Sequence, residues 1–239
     1  MHDIQNIVIL TGAGISAESG LETFRAADGL WASHRIEDVC TPEALARDRA
    51  LVHRFYDARR AQLDAVSPNA AHHALARLDA DWPGDLLIVT QNVDDLHERA
   101  GGARLVHMHG ALRSAWCLAC DGRSEWHGPM GAAQAGDWPP CPACGARALR
   151  PDIVFFGEMP YQMERIEAAL ARADLFVSIG TSGAVYPAAG FVRVAAAHGA
   201  RTLELNLEPS AGSGLFDDSR FGPATELVPT WVAEMTGRV

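Results

Sequence analysis

Five short apolar runs most constrain what this chain can fold into: residues 7–10 (IVIL), 86–89 (LLIV), 105–108 (LVHM), 175–179 (LFVSI) and 202–205 (TLEL). Each has the length of a strand, is flanked by Gly, Asp or Asn, and is separated from the next by helical patterns. That alternation predicts an α/β fold with a parallel sheet. The runs end in polar tips: Thr11-Gly-Ala-Gly14, Thr90-Gln-Asn-Val-Asp94, His109-Gly110, Gly180-Thr-Ser182 and Asn206-Leu-Glu208. Ligands of open α/β sheets bind at the carboxyl ends of the strands, so the tips are expected to converge on one crevice.

Two segments interrupt the pattern. Residues 36–65 are mostly helical, with 50–63 a strong amphipathic stretch. Residues 113–149 lack hydrophobic periodicity and hold four of the five cysteines. Both are expected to form a small zinc-binding and helical module inserted into one catalytic domain spanning 1–239. The main part would then comprise 1–35, 66–112 and 150–239. With 48% apolar and 21% charged residues, the chain has the composition of a globular protein. It shows no signal-peptide pattern and no membrane-length apolar run, which places it in the cytoplasm, away from membranes. A net charge of -10 argues against nucleic acid and favours cationic partners such as lysine-rich segments. No extended apolar patch is legible, so a monomer is expected.

Gly12-Ala-Gly-Ile-Ser-Ala17 matches the G-x-G-x-x-G/A fingerprint after a strand and before a helix, giving the sheet a Rossmann-like, doubly wound reading. Gly12 permits the tight turn and Gly14 a close approach to a pyrophosphate at the helix N-terminus. A glycine turn serving packing alone is the competing reading. The expected ribose-binding acid does not end a second strand, and Asn206-Leu207-Glu208 is the better candidate for that contact. Cys117-Leu-Ala-Cys120 and Cys141-Pro-Ala-Cys144 are separated by residues 121–140. Four thiolates at this spacing suit one tetrahedral Zn²⁺ in a closed, structural site, with redox chemistry or free thiols as alternatives. His107 and His109 share a strand face, as a metal pair or as one functional and one hydrogen-bonded residue. His109, at a strand tip before glycine, suits a general base. His72, His73 and His97 sit on helical patterns and read as structural.

In order along the chain, Gly12–Gly20 (GAGISAESG), Thr23-Phe-Arg25, Gln91-Asn-Val-Asp94, His109-Gly110, the two C-x-x-C pairs, Phe156-Gly-Glu158, Gly180-Thr-Ser182 and Asn206-Leu-Glu208 resemble the sirtuins. The resemblance spans almost the whole chain. It is closest to the bacterial NAD-dependent protein deacylases, and it implies NAD as cofactor and acylated-lysine proteins as substrates. The acyl group would pass to ADP-ribose with release of nicotinamide. It assigns Gly12, Ala13, Gly14, Ser16, Ala17, Glu18, Phe24, Arg25, Gln91, Asn92, Asp94, Gly180, Thr181, Ser182, Asn206, Leu207, Glu208 and Ala224 to the cofactor. His109, with Asn92, would be catalytic, His109 taking a proton from a ribose hydroxyl. A loop from Ser16 to about His34 would close over the cofactor and exclude water. Phe156, Gly157, Glu158, Val185 and Tyr186 would line an extended peptide, although packing alone also explains Val185 and Tyr186.

Tyr56 and Arg59 lie three apart on the amphipathic stretch and share a face. As bare residues, Arg59 reads as one of several solvated arginines. The resemblance instead implies a site for the carboxylate of succinyl-lysine, because the relatives that accept it carry Tyr-x-x-Arg here. Those relatives have a small alanine where this chain has Cys40, which either tightens the acyl site or is an inert buried thiol. Two other readings stand beside deacylation. One is an ADP-ribosyltransferase or NAD hydrolase, and the other a non-catalytic NAD-responsive module.

Overall fold

The computed structural model describes residues 4–21, 35–131 and 137–237. The first half of the chain runs β1 (Asn6–Thr11), α1 (Gly14–Ala17), α2 (Ile36–Val39), α3 (Pro42–Arg47), α4 (Arg49–Gln62), α5 (Ala70–Asp81), β2 (Asp85–Thr90), α6 (Leu96–Arg99) and β3 (Leu105–His107). It continues through β4 (Gly110–Cys117), β5 (Arg123–Glu125), β6 (Leu149–Ile153), α7 (Met163–Leu170), β7 (Leu175–Ile179), α8 (Phe191–Ala197), β8 (Arg201–Asn206), β9 (Asp218–Phe221) and α9 (Ala224–Thr236).

Six strands form one sheet in the order β3-β2-β1-β7-β8-β9, with every adjacent pair parallel. Successive residues of a strand face opposite sides. Ile7, Ile9, Leu86, Ile88 and Val177 pack in one buried cluster with Leu75 of α5 and Trp231 of α9. Val8, Leu10, Leu87, Val89 and Phe176 pack in another with Ile166 of α7 and Phe191 of α8. Both faces are covered by helices, which is why the runs are continuously apolar. The five expected strands are β1, β2, β3, β7 and β8. β9 was not legible, because an edge strand is paired on one side and tolerates charge, here Asp218 and Arg220. The order reverses between β1 and β7, and a doubly wound sheet opens its ligand crevice at such a point.

β4, β5 and β6 form a second, antiparallel sheet in the order β5-β4-β6, running from Gly110 to Ile153. The helices of the 36–65 segment are built by local capping. The Thr41 hydroxyl accepts the Ala44 amide ahead of α3, and Asp48 accepts the Leu51 amide ahead of α4. α4 is then fastened to the second sheet by charged groups. Buried Arg60 donates to the Leu112 carbonyl (2.6 Å) and to Asp57 (2.7 Å). Asp57 in turn accepts the amides of Met130 and Gly131. Arg49 donates to the carbonyls of Arg147 and Leu149. Among the described residues, no helix is long and apolar enough to cross a membrane.

Candidate active site and four-cysteine centre

The tips of β1 and β7 meet backbone to backbone. Gly12 donates to the Ile179 carbonyl (3.0 Å) and Gly14 to the Gly180 carbonyl (2.8 Å). A Cβ on Gly14 would lie 2.7 Å from the Gly180 Cα, and Gly180 has a φ of +61° that disfavours a side chain. The glycines of the fingerprint are therefore required for strand-tip packing as well as for an open approach. Among the described residues, the amides of Ala13, Thr181 and Ser182 donate to no group of the chain. That leaves donors for an anion at the switch point, which is the requirement of a dinucleotide's phosphates.

Behind this turn lies a buried polar network. The Asn92 side-chain amide donates to the Gly12 carbonyl and to the Ser16 hydroxyl, both at 3.1 Å. Ser16 donates to Asp94 (3.0 Å), whose other oxygen accepts the Leu96 amide. Burial raises the Asp94 pKa against those two bonds. His72 of α5 lies 3.4 Å from the Ser16 hydroxyl, and His97 of α6 lies 3.0 Å from that of Thr11. Burial holds both imidazoles neutral, with pKa values near 4 for His72 and near 3 for His97. Both are buried on helices, and they stand against the predicted site residues. Their partners lie 56 and 86 residues away in sequence, so no local signal could have placed them there.

β3 ends at His107 and His109 lies in the turn before β4, so the two histidines do not share a strand face as expected, and their surroundings differ. His109 Nδ1 lies 3.1 Å from the Gln91 carbonyl. A carbonyl only accepts, so Nδ1 carries the proton and Nε2 keeps its lone pair. Burial lowers the His109 pKa, with the Gln91 bond opposing. His107 contacts the Asn92 carbonyl (3.1 Å) and Glu98 (2.6 Å). Burial opposes its charge, yet the Glu98 contact prevails and its pKa rises. His109 thus has the state of a base, and His107 that of an ion-pair partner.

At the far side of the crevice, Asn206 donates to the Thr181 carbonyl (2.8 Å) and accepts the Leu207 amide (3.1 Å), splicing the tips of β7 and β8. Leu207, Glu208 and Ala17 are exposed. Glu18 accepts the amide and hydroxyl of Thr225, next to Ala224 at the start of α9, so its carboxylate is occupied by the chain itself. Phe24, Arg25 and most of the 16–34 loop lie outside the described residues.

Tyr56 and Arg59 do share a face of α4. The buried Tyr56 hydroxyl donates to Cys40 Sγ (3.1 Å), and its ring stacks on Phe155 at 5.8 Å. The Arg59 guanidinium lies 5.8 Å from the Phe55 ring. Cys40 is buried at 5% exposure, so it is not an open thiol. Burial pushes its pKa and that of Tyr56 up, with the charges of Arg59 and Arg150 acting the other way. The Cys40 carbonyl accepts the Phe156 amide (3.0 Å), and the His109 carbonyl accepts the Val154 amide (2.9 Å), so the 156–158 segment is tied to both sites. Phe156 and Gly157 are exposed there, as are Val185 and Tyr186 on the loop after β7. Glu158 differs. Its carboxylate turns inward onto Arg150 and the Phe155 amide.

The four paired cysteines converge, with all sulfurs within 4.8 Å of one another. Cys117 and Cys144 are 3.8 Å apart, as are Cys120 and Cys141. Two sulfurs on a tetrahedral zinc with 2.3 Å bonds sit about 3.8 Å apart, so the cage fits Zn²⁺. Amides of Ala119 and Cys120 face the Cys117 sulfur, whose pKa falls to about 7, whereas the neighbouring thiols raise that of Cys120 against the Gly122 amide. With four protein ligands, no position remains for substrate.

A doubly wound sheet with open donors at its switch point and a closed metal module beside it defines a nucleotide-binding α/β protein with a structural zinc. The chain belongs to the Sir2 family, whose model matches residues 12–187. It is 56% identical over 233 residues to the NAD-dependent protein deacylase of Bdellovibrio bacteriovorus, covering 96% of each chain. It is 51% identical to the NAD-dependent protein deacylase of Caulobacter vibrioides over the full length of both. Among solved structures it resembles a complex of a Sir2 homolog with NAD, with a TM-score of 0.88, 36% identity, and 99% and 91% of the two chains covered.

Proposed function

We propose that this chain is an NAD-dependent protein-lysine deacylase that removes acetyl and succinyl groups. The observation that carries the reading is His109, with Nδ1 committed to the Gln91 carbonyl and Nε2 left basic at the edge of the glycine-lined switch point. When bound, NAD supplies the ADP-ribose that accepts the acyl group and the nicotinamide that leaves. The amides of Ala13, Thr181 and Ser182 would hold its phosphates, and Gly12 and Gly14, whose amides are bonded to the Ile179 and Gly180 carbonyls, would leave room for their approach. Asn92 and Asp94, locked by Ser16, line the nicotinamide end, and Asn206, Leu207, Glu208 and Ala224 the adenosine end. His109 Nε2 takes the proton of a ribose hydroxyl, and its lowered pKa keeps it deprotonated at neutral pH.

The acylated lysine enters beside Tyr56 and Arg59, its peptide backbone running as a strand between 156–158 and Val185–Tyr186. Arg59 receives the carboxylate of a succinyl group. The chain works as a single catalytic domain and a monomer in the cytoplasm, with no nucleic-acid or membrane partner. The net charge of -10 argues against a nucleic-acid partner and favours lysine-rich segments.

Matched acetyl- and succinyl-lysine peptides, each with NAD, test the reading on wild type and Arg59→Met. Loss of desuccinylation alone in the variant supports it. Removal of acetyl alone by wild type overturns the acyl assignment. NAD consumption without any deacylation replaces it with an NAD hydrolase.

A further inference from the structure

One charged residue outside the described site is almost wholly buried and yet reaches the segment assigned to the substrate. Arg150 of β6 is 3% exposed. Its two terminal nitrogens donate to the two Glu158 oxygens at 2.6 and 3.0 Å, and one also donates to the Ile153 carbonyl at 2.8 Å. Glu158 Oε2 also accepts the Phe155 amide (2.8 Å), and the Glu158 amide donates to the Phe155 carbonyl (3.0 Å). The four-residue turn 155–158 is therefore closed by one backbone bond, one carboxylate and one guanidinium. At its apex Gly157 takes a φ of +91°, and among the described residues its amide donates to nothing in the chain.

The guanidinium carbon also lies 3.8 Å from the Phe155 ring centre and 5.0 Å from that of Trp116, the residue before Cys117. Phe155 stacks on Tyr56, whose hydroxyl reaches Cys40. A buried guanidinium is costly unless well paired, and an apolar residue of like volume would pack as well. What the charge provides here is geometry, a planar fork that holds a carboxylate at a fixed angle.

We propose that Arg150 is a positioning residue for the acyl-lysine substrate: by locking Glu158 and Phe155 it holds the 155–158 turn open for the peptide backbone and ties that turn to the four-cysteine sheet. The proposal rests on the reading that the peptide lies against 156–158.

The test compares Arg150→Met, Arg150→Lys and Glu158→Gln with wild type in steady-state kinetics, with zinc content measured on each. The expected result is a rise of about tenfold or more in the peptide KM for Arg150→Met. Arg150→Lys and Glu158→Gln give smaller rises. The KM for NAD and kcat stay within about twofold, with one zinc per chain retained. If Arg150→Met fails to fold, the two milder variants decide. Equal changes in both KM values and kcat, or an unchanged peptide KM, overturn the proposal. Phe156→Ala separates the two readings. If it raises the peptide KM and the Arg150 and Glu158 variants do not, the role of Arg150 fails alone. If Phe156→Ala changes nothing, the groove fails and the proposal with it.

Discussion

The two sheets of this protein are held by opposite means. The parallel sheet lies between clusters of 17 and 15 buried side chains, nearly all aliphatic or aromatic. Among the described residues, the antiparallel sheet has a cluster of five, two of them cysteines, and sends only Leu112 and Ile153 into the cluster of ten built around α4. What it lacks in apolar area is made up by four sulfurs, by Asp57, Arg60 and Arg49, and by Arg150 under Phe155. A small module cannot bury enough surface to order itself, so it recruits a metal and paired charges. The difference assigns roles. Under the proposed function, the large sheet would be the rigid frame of the cofactor crevice and the small one a conditional support for the acyl-lysine side.

Metal removal is the largest expected disruption, since a four-thiolate zinc contributes on the order of 10 kcal/mol to ordering its module. A chelator, or Cys141→Ser, should open 110–153 to limited proteolysis while far-ultraviolet circular dichroism reports most helices intact. Deacylation should fall by roughly a hundredfold or more. Unchanged proteolysis in zinc-free protein would mean that the sulfurs are not what holds this sheet.

Next in size is Asp57→Ala, which strands the buried Arg60 charge and should cost about 3–5 kcal/mol. Leu78→Ala, in the core beneath the large sheet, should cost about 2–5 kcal/mol by a cavity instead. Hydrogen exchange distinguishes them. The Asp57 effect should concentrate in α4 and 110–153, and the Leu78 effect should be global.

What could be read from the sequence follows the same division. β1, β2, β3, β7 and β8 were legible because burial on both faces writes itself as a continuous apolar run. The strands of the small sheet were not, since β6 reads Leu149-Arg-Pro-Asp-Ile153 and its charges are satisfied by tertiary partners. The cysteines were legible by spacing, since metal geometry imposes a local rule. Tyr56 and Arg59 share a face by helical period, but the bond from Tyr56 to Cys40 could not be foreseen. His72 and His97 read as structural from their helical patterns, and their contacts with Ser16 and Thr11 depend on elements far apart in the chain. Glu18 and Glu158 followed motif order to the cofactor and the peptide, and the structure instead commits their carboxylates to Thr225 and Arg150.

A pH-dependent effect belongs to the large sheet. His72 and His97 have folded pKa values of about 4 and about 3, below the unfolded value of 6.5. The unfolded chain therefore takes up protons first, and stability falls as pH drops from about 6.5 toward 4 for His72 and toward 3 for His97. Each residue contributes a slope of up to about 1.4 kcal/mol per pH unit. Thermal melts across that window should show it, and His97→Gln should flatten the curve. An equally steep curve in that variant would remove His97 from the account.

The smallest expected change is Cys40→Ala, which frees the Tyr56 hydroxyl. The succinyl-peptide KM should fall by roughly two- to fivefold while the acetyl-peptide KM holds. Parallel shifts for both peptides would mean that Cys40 acts by volume alone.

The most direct test of the central claim is to follow all products by mass spectrometry when NAD and an acyl-lysine peptide are mixed with wild type and with His109→Ala. The account predicts nicotinamide, deacylated peptide and acyl-ADP-ribose in equal amounts from wild type, and no acyl-ADP-ribose from the variant. Nicotinamide with ADP-ribose and an intact acyl-peptide from wild type, or full acyl transfer by His109→Ala, would contradict it.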